Sequence, residues 1–323
     1  MKIKLSSAVL AVVAAGTAAL TTVTALPASA AATPDSRAKV IAHFDLDNGQ
    51  MPENVAVEPG GALNVTFAAA RQIARVDRTG ATRILATLPL PADGGVGTPV
   101  LGFPLTTGIV RTRNGTLYVL YAAGSADMTG LWRLTPGGTP QRIAALPAEG
   151  LPNGLALDER GERFYITDSV LGKIWTVPRT GGTPAVWSAA DDLASTSFLG
   201  VNGAKARDGA LWVTNLDKGT VLRIPFRKGG RAGLPQVKAT GLVGLDDFAF
   251  TGRGEEIVAA VNGPNKVVRI RPGGAVSTVL DAADGLQNPT SVAVRGGKVY
   301  VLSAAYTTKT DPNLLQAHLP GRR

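Results

Sequence analysis

Leu151-Pro152-Asn153-Gly154-Leu155-Ala156-Leu157, then a polar turn from Asp158 to Gly161, then Arg163-Phe164-Tyr165-Ile166-Thr167, is the stretch that decides the fold. Pro, Asn and Gly open it, an apolar triplet follows, and a glycine-bearing turn leads into a second β-rich run. Units of the same form start near Pro52, Leu105, Asn202, Asp246 and Pro289. Their spacing is roughly 45 residues, with several short strands per unit, which predicts a β-propeller. No single blade can bury its own apolar faces, so the units must pack around an axis.

Within each unit the same strand grammar recurs: alternating apolar and polar residues between Gly-rich turns. The third strand is the easiest to see. It reads Ile73-Ala74-Arg75-Val76, Leu131-Trp132-Arg133-Leu134, Lys173-Ile174-Trp175-Thr176-Val177, Val221-Leu222-Arg223-Ile224 and Val267-Val268-Arg269-Ile270. The last unit runs from Asn288 through Lys298–Leu302 to Leu314–Leu319 and lacks room for a fourth strand. Lys39–Phe44 is a strand without a blade of its own. Pairing the two ends closes the ring and removes exposed edges, so the expected fold is one all-β, six-bladed propeller over residues 39–323. No stretch of ten or more residues keeps a helical period; Asp191–Phe198 is at most a short turn.

Residues 1–30 read as a signal peptide. Lys2 and Lys4 start it, Leu5–Ala25 is apolar but rich in small residues, and Ala28-Ser29-Ala30 fits the cleavage rule. A membrane anchor is the competing reading of Leu5–Ala25. Residues 31–38 would be a short mobile tail. A secreted, extracellular chain with no membrane attachment after cleavage is expected. No cysteine exists, so a large core must replace disulfides.

The formal charge is +9. Basic residues are scattered; only Arg223, Arg227, Lys228 and Arg231 crowd together, beside a single aromatic, Phe226. Nucleic-acid binding wants a focused stripe with stacking residues, so no nucleic-acid partner is expected. Trp132, Trp175 and Trp212 sit in strand patterns and read as packing residues. Neither a Gly-x-Ser-x-Gly elbow nor a phosphate loop occurs. The only histidines, His43 and His318, lie near the chain ends that ring closure would draw together.

Aligning the apolar triplets places Glu53, Thr106, Asn153, Asn202, Asp246 and Thr290 at one equivalent position, near the start of each innermost strand. Six oxygen-bearing side chains would then ring one end of the channel. Carboxylate and amide oxygens suit Ca²⁺, Mg²⁺ or Mn²⁺. The same residues also serve as hydrogen-bond partners for channel water and for backbone groups left unpaired at blade starts. Both readings stay open at this point. Asp168, after the second strand of its unit, either bonds the turn backbone or touches a ligand.

Leu151–Ser169, with its Pro-Asn-Gly opening and its Phe-Tyr-Ile-Thr-Asp-Ser ending, resembles the gluconolactonase, senescence-marker-protein and luciferin-regenerating-enzyme family. The rest of the chain matches at the level of blade grammar. The resemblance implies a divalent cation held by Glu, Asn, Asn and Asp, one of which also serves the chemistry. Glu53 and Asn153 match that pattern. Thr106 stands where the family has Asn, and Asn202 where it has Asp. An amide cannot act as a general base. Asp246 would restore the missing charge, as metal ligand and as the catalytic carboxylate. The metal set is therefore Glu53, Asn153, Asn202 and Asp246, with Thr106, Asp168 and Thr290 as substrate contacts and no organic cofactor. The function so implied is hydrolysis of a lactone or small ester by a monomer. The alternative is a non-catalytic propeller that binds a small molecule, glycan or protein through loops such as Pro89–Pro104 and Ala122–Gly130.

Overall fold

The computed structural model describes residues 38–319. The leader and the tail up to residue 37 lie outside the described residues. Strand β1 (Ala38–His43) comes first. Blade 1 holds β2 (Pro52–Val57), β3 (Leu63–Phe67), β4 (Gln72–Val76) and β5 (Thr82–Thr87). Blade 2 holds β6 (Leu105–Arg111), β7 (Leu117–Ala122), β8 (Gly130–Leu134) and β9 (Gln141–Ala145). Blade 3 holds β10 (Pro152–Leu157), β11 (Arg163–Asp168), β12 (Lys173–Pro178) and β13 (Ala185–Ser188). Blade 4 holds β14 (Val201–Arg207), β15 (Ala210–Asn215), β16 (Thr220–Pro225) and β17 (Gln236–Ala239). Blade 5 holds β18 (Leu245–Phe250), β19 (Ile257–Val261), β20 (Lys266–Ile270) and β21 (Val276–Leu280). Blade 6 holds β22 (Pro289–Arg295), β23 (Lys298–Ser303), β24 (Asn313–His318) and, as its outer strand, β1.

The expected closure is present. β1 runs antiparallel to β24, from Ala38 opposite Ala317 to His43 opposite Asn313. The closing strand begins at Ala38, one residue before the expected start, and Phe44 falls just outside it while its N–H still donates to Pro312 O at 2.8 Å. The histidines are not drawn together. His43 and His318 lie at opposite ends of this ladder, because antiparallel pairing places the start of one strand beside the end of the other. His43 Nδ1 lies 2.8 Å from Asp311 Oδ1 at an exposed site.

There is no single core. Apolar side chains fill six seams, one between each pair of neighbouring blades. The seam between blades 6 and 1 packs Leu63, Val65 and Phe67 against Tyr300, Leu302 and Leu314, with Ala42 and Phe44 from the N-terminal segment. Second strands face a neighbour on both sides, so all residues of β3, β7, β15 and β19 are buried, including the polar Asn64, Thr66, Thr214 and Asn215. Trp132 and Trp212 lie inside seams, as their strand context predicted. Short 3₁₀ turns at Asp191–Leu193, Lys228–Gly230 and Ala282–Asp284 are the only helical segments among the described residues. None is long and apolar enough to cross a membrane.

Because blade 6 is complete only with β1, removing Ala38–His43 should expose the β24 edge and half of one seam. The whole ring should then lose stability, with a fall in melting temperature of about 5 degrees or more, on the order of 3 kcal/mol. A melting curve like that of the intact chain would show β1 to be an appendage.

Candidate functional site

Every innermost strand loses register with its neighbour at the same place. The shifts fall between Pro52 and Asn54, Thr106 and Ile109, Pro152 and Leu155, Val201 and Ala204, Leu245 and Phe248, and Pro289 and Ser291. A bulge re-aims the side chains on either side of it. Glu53, Thr106, Asn153, Asn202, Asp246 and Thr290 are the second residues of these six strands, so the equivalence read from the triplets holds in space. All six are buried.

The six then divide. Thr106 Oγ1 donates to Phe67 O at 2.9 Å and Thr290 Oγ1 donates to Pro52 O at 2.9 Å, so both hydroxyls are spent on neighbouring blades. Asp168 is likewise spent. Its Oδ1 accepts from the N–H groups of Leu151, Val170 and Leu171, and its Oδ2 accepts from Trp175 Nε1 at 3.2 Å. Of its two expected roles, the geometry carries the backbone one.

Asn153, Asn202 and Asp246 are different: their side chains make no hydrogen bond within the described residues. Glu53 makes one, accepting from Tyr306 Oη at 2.6 Å. A polar side chain buried to this degree normally has partners. Burial pushes the Glu53 carboxyl up to about 7, the Tyr306 hydroxyl pulls it back down, and nearby Asp247 raises it. Burial also lifts Asp246 well above the carboxylate range, with Glu53 and Asp247 adding repulsion. Tyr306 in turn is raised well above an ordinary phenol by burial and by the charge of Glu53. The polar group is collared by an apolar cluster in which Met51, Leu101, Phe103, Val170, Leu216 and Tyr306 are only partly buried.

Next along β18, Asp247 is buried. Its carboxylate accepts from Lys205 Nζ at 2.7 and 2.8 Å and from Asn54 Nδ2 at 3.0 Å. Asn54 belongs to blade 1 and Asp247 to blade 5, so this bond reaches past blade 6. The close approach needs Gly203, where an added Cβ would lie 2.4 Å from Asp247 Oδ1.

The sequence reading missed Tyr306, Asp247, Asn54 and Lys205. Asn54 and Asp247 directly follow residues it had picked, and adjacent positions at a bulge are a usable signal. Tyr306 left none. It stands on a loop after β23 that is held by Asn288 Oδ1, which accepts from Thr307 N, Thr307 Oγ1 and Thr308 N.

By donor type, Glu53, Asp246 and the free amide oxygens of Asn153 and Asn202 suit a hard cation. Among the described residues, no group of three or more His, Cys, Asp or Glu is placed to hold a metal ion, so any cation here would lean on the two amides.

No protein-family model matches the chain, and no curated protein matches it. Solved structures do. A catalytically inactive virginiamycin B lyase from Staphylococcus aureus, with quinupristin, is similar at 17% identity and TM-score 0.60, over 84% of this chain and 82% of that one. The PQQ-bound aldose sugar dehydrogenase from Streptomyces coelicolor is similar at 16% identity and TM-score 0.63, over 88% and 99%. An auxiliary nutrient-binding protein from Bacteroides ovatus is similar at 12% identity and TM-score 0.64, over 86% and 75%. Enzymes and a binding protein thus share this architecture. The likeness establishes the propeller fold and leaves activity to the site.

An unfolded chain ionises Glu53 in the ordinary range, whereas the folded chain keeps its proton up to about 7. Between those values the folded state binds more protons, so stability falls as pH rises through the window. Asp246 acts in the same direction. Melting temperature should therefore decline from about pH 5 to about pH 8, and Glu53→Gln should flatten much of that decline. A melting temperature that rises across this range would contradict the site's electrostatics.

Proposed function

We propose that the Glu53–Asp246 end of the channel is the working site, and that it takes a small polar molecule and hydrolyses a lactone or small ester. The observation that carries this reading is the pair of buried carboxyls, Asp246 repelled by Glu53, beside two amides that the fold leaves without partners. A carboxyl poised near neutral pH is suited to proton transfer. Glu53 takes a proton from water as the water oxygen bonds to the carbonyl carbon. Asp246 gives its proton to the leaving oxygen as the ring C–O bond breaks. The amide N–H groups of Asn153 and Asn202 donate to the carbonyl oxygen, and Tyr306 orients Glu53 through their hydrogen bond. The apolar collar limits water around the site.

The gluconolactonase resemblance implies, in place of the Asp246 proton donor, a divalent cation, Ca²⁺, Mg²⁺ or Mn²⁺. Glu53, Asn153, Asn202 and Asp246 would hold it, and it would supply polarisation of the carbonyl. Relief of the Glu53–Asp246 repulsion supports that arrangement. A non-catalytic binding propeller is the second reading, and Asn202 favours it, because an amide stands where the family has a carboxylate.

The test is hydrolysis of a panel of γ- and δ-lactones, followed by pH-stat with and without each ion. Asp246→Asn should lower the rate about a hundredfold or more. An ion that belongs to the site should raise the melting temperature of the wild type and not of the Glu53→Gln, Asp246→Asn double variant. Lactones that shift the melting temperature without being hydrolysed would select the binding reading. No hydrolysis and no shift would end both.

We also propose that the chain is exported through the leader at residues 1–30. Mass spectrometry of culture medium should find a mature protein starting near Ala31; a full-length chain confined to the cytoplasm would refute export.

A further inference from the structure

The opposite end of the channel carries the opposite charge. The last residues of the six inner strands are Val57, Arg111, Leu157, Arg207, Phe250 and Arg295. Arg207 is engaged: its guanidinium lies over the Phe250 ring at 4.5 Å and its Nε is 3.1 Å from Asp208. Arg111 and Arg295 make no hydrogen bond or ion pair with an acid; Arg111 only feels the Glu58 charge from a distance. With Arg113 they line a cleft of about 300 Å³ whose walls are Val57, Pro59 and Val294 and whose one carboxylate is Glu58.

Glu58 does not neutralise that trio. Both of its oxygens accept from Arg75 Nε, at 3.1 and 3.2 Å, and Oε1 also accepts from Asn64 Nδ2 at 3.2 Å. One cation and one anion cancel there, and three guanidinium groups remain around the cleft. They are also partly pre-positioned. Arg295 Nη2 donates to Pro59 O across the seam between blades 6 and 1, and Arg111 Nη1 donates to Thr112 O at 3.3 Å. Arg295 Nη1 passes so close to Gly61 that a Cβ there would meet it at 2.7 Å. Each of these two guanidinium groups spends one bond on the protein and keeps others, and Arg113 makes none within the described residues. Three guanidinium groups thus line one cleft, and guanidinium forks match the paired oxygens of phosphate and carboxylate.

We propose that Arg111, Arg113 and Arg295 form an oxyanion-binding site at the end of the channel remote from Glu53, specific for a phosphoryl or carboxylate group on a small molecule. The inner strands separate the two ends by about 15 Å, so this site works independently of the chemistry at the other mouth. Its ligand enters between blades 6, 1 and 2, with apolar walls available to the carbon skeleton that bears the anion.

Calorimetric titration with inorganic phosphate, and separately with D-glucuronate, both at constant ionic strength, tests the site. Saturable one-to-one binding of either anion is expected, phosphate identifying a phosphoryl preference and glucuronate a carboxylate one. Arg113→Gln is the clean variant, because Arg113 is exposed and holds nothing in the fold. It should weaken binding about tenfold, and Arg295→Gln should do so again. Arg160→Gln, on the turn between β10 and β11, should leave binding unchanged. The proposal fails if neither anion binds, or if Arg113→Gln and Arg295→Gln bind like the wild type.

Discussion

A closed ring of side-chain hydrogen bonds passes from each blade to the inner strand of the next. Thr66 donates to Thr107 O, Thr107 to Pro152 O, Thr167 to Asn202 O, Thr214 to Asp246 O, Asn262 to Pro289 O and Thr290 to Pro52 O. Three of these threonines also accept from the bulge of their own inner strand, from Asn54 N, Gly154 N and Gly203 N. A bulge leaves backbone groups unpaired, and a buried unpaired group costs about 1–3 kcal/mol. One hydroxyl thus satisfies the local defect and fixes the neighbouring blade. Everything at the channel mouth depends on this arrangement, because the bulges that need it are the ones that carry Glu53, Asn153, Asn202 and Asp246.

The ring also explains how the fold can keep repelling charges in place. Burial disfavours ionised Glu53 and Asp246, and nothing in the first layer neutralises them. Below them Asp247 is paired with Lys205 and bridged by Asn54, so the charge stops there. Beyond that layer three of the six inner strands end in arginine, at Arg111, Arg207 and Arg295. The channel therefore has an acidic mouth, a neutral plug and a basic mouth. Buried ion pairs add little net stability, so the plug contributes little to holding the blades together.

Much of the architecture was legible along the chain. Third strands, turn glycines and the apolar triplets repeat with the blade period because every blade meets the same two neighbours and so needs the same faces buried. The leftover strand at each end was legible for the same reason: a unit one strand short and a strand without a unit imply each other. The alignment of triplets was enough to name six equivalent positions. It could not say which of them are spent on the fold, since Thr106 and Thr290 carry oxygens just as Asn153 and Asn202 do. That depends on whether a carbonyl from the next blade lies within reach.

By itself the sequence determined the period, the blade count, the closure and the six ring positions, because these follow from local strand grammar repeated at a constant spacing. Only the tertiary structure decided the site. Tyr306 reaches Glu53 across 253 residues and Asn54 reaches Asp247 across 193, and no periodic signal encodes contacts between non-equivalent positions. The raised proton affinities of Glu53 and Asp246 have the same origin. They arise from burial and mutual repulsion among carboxyls that come from different blades and meet only when the ring is shut.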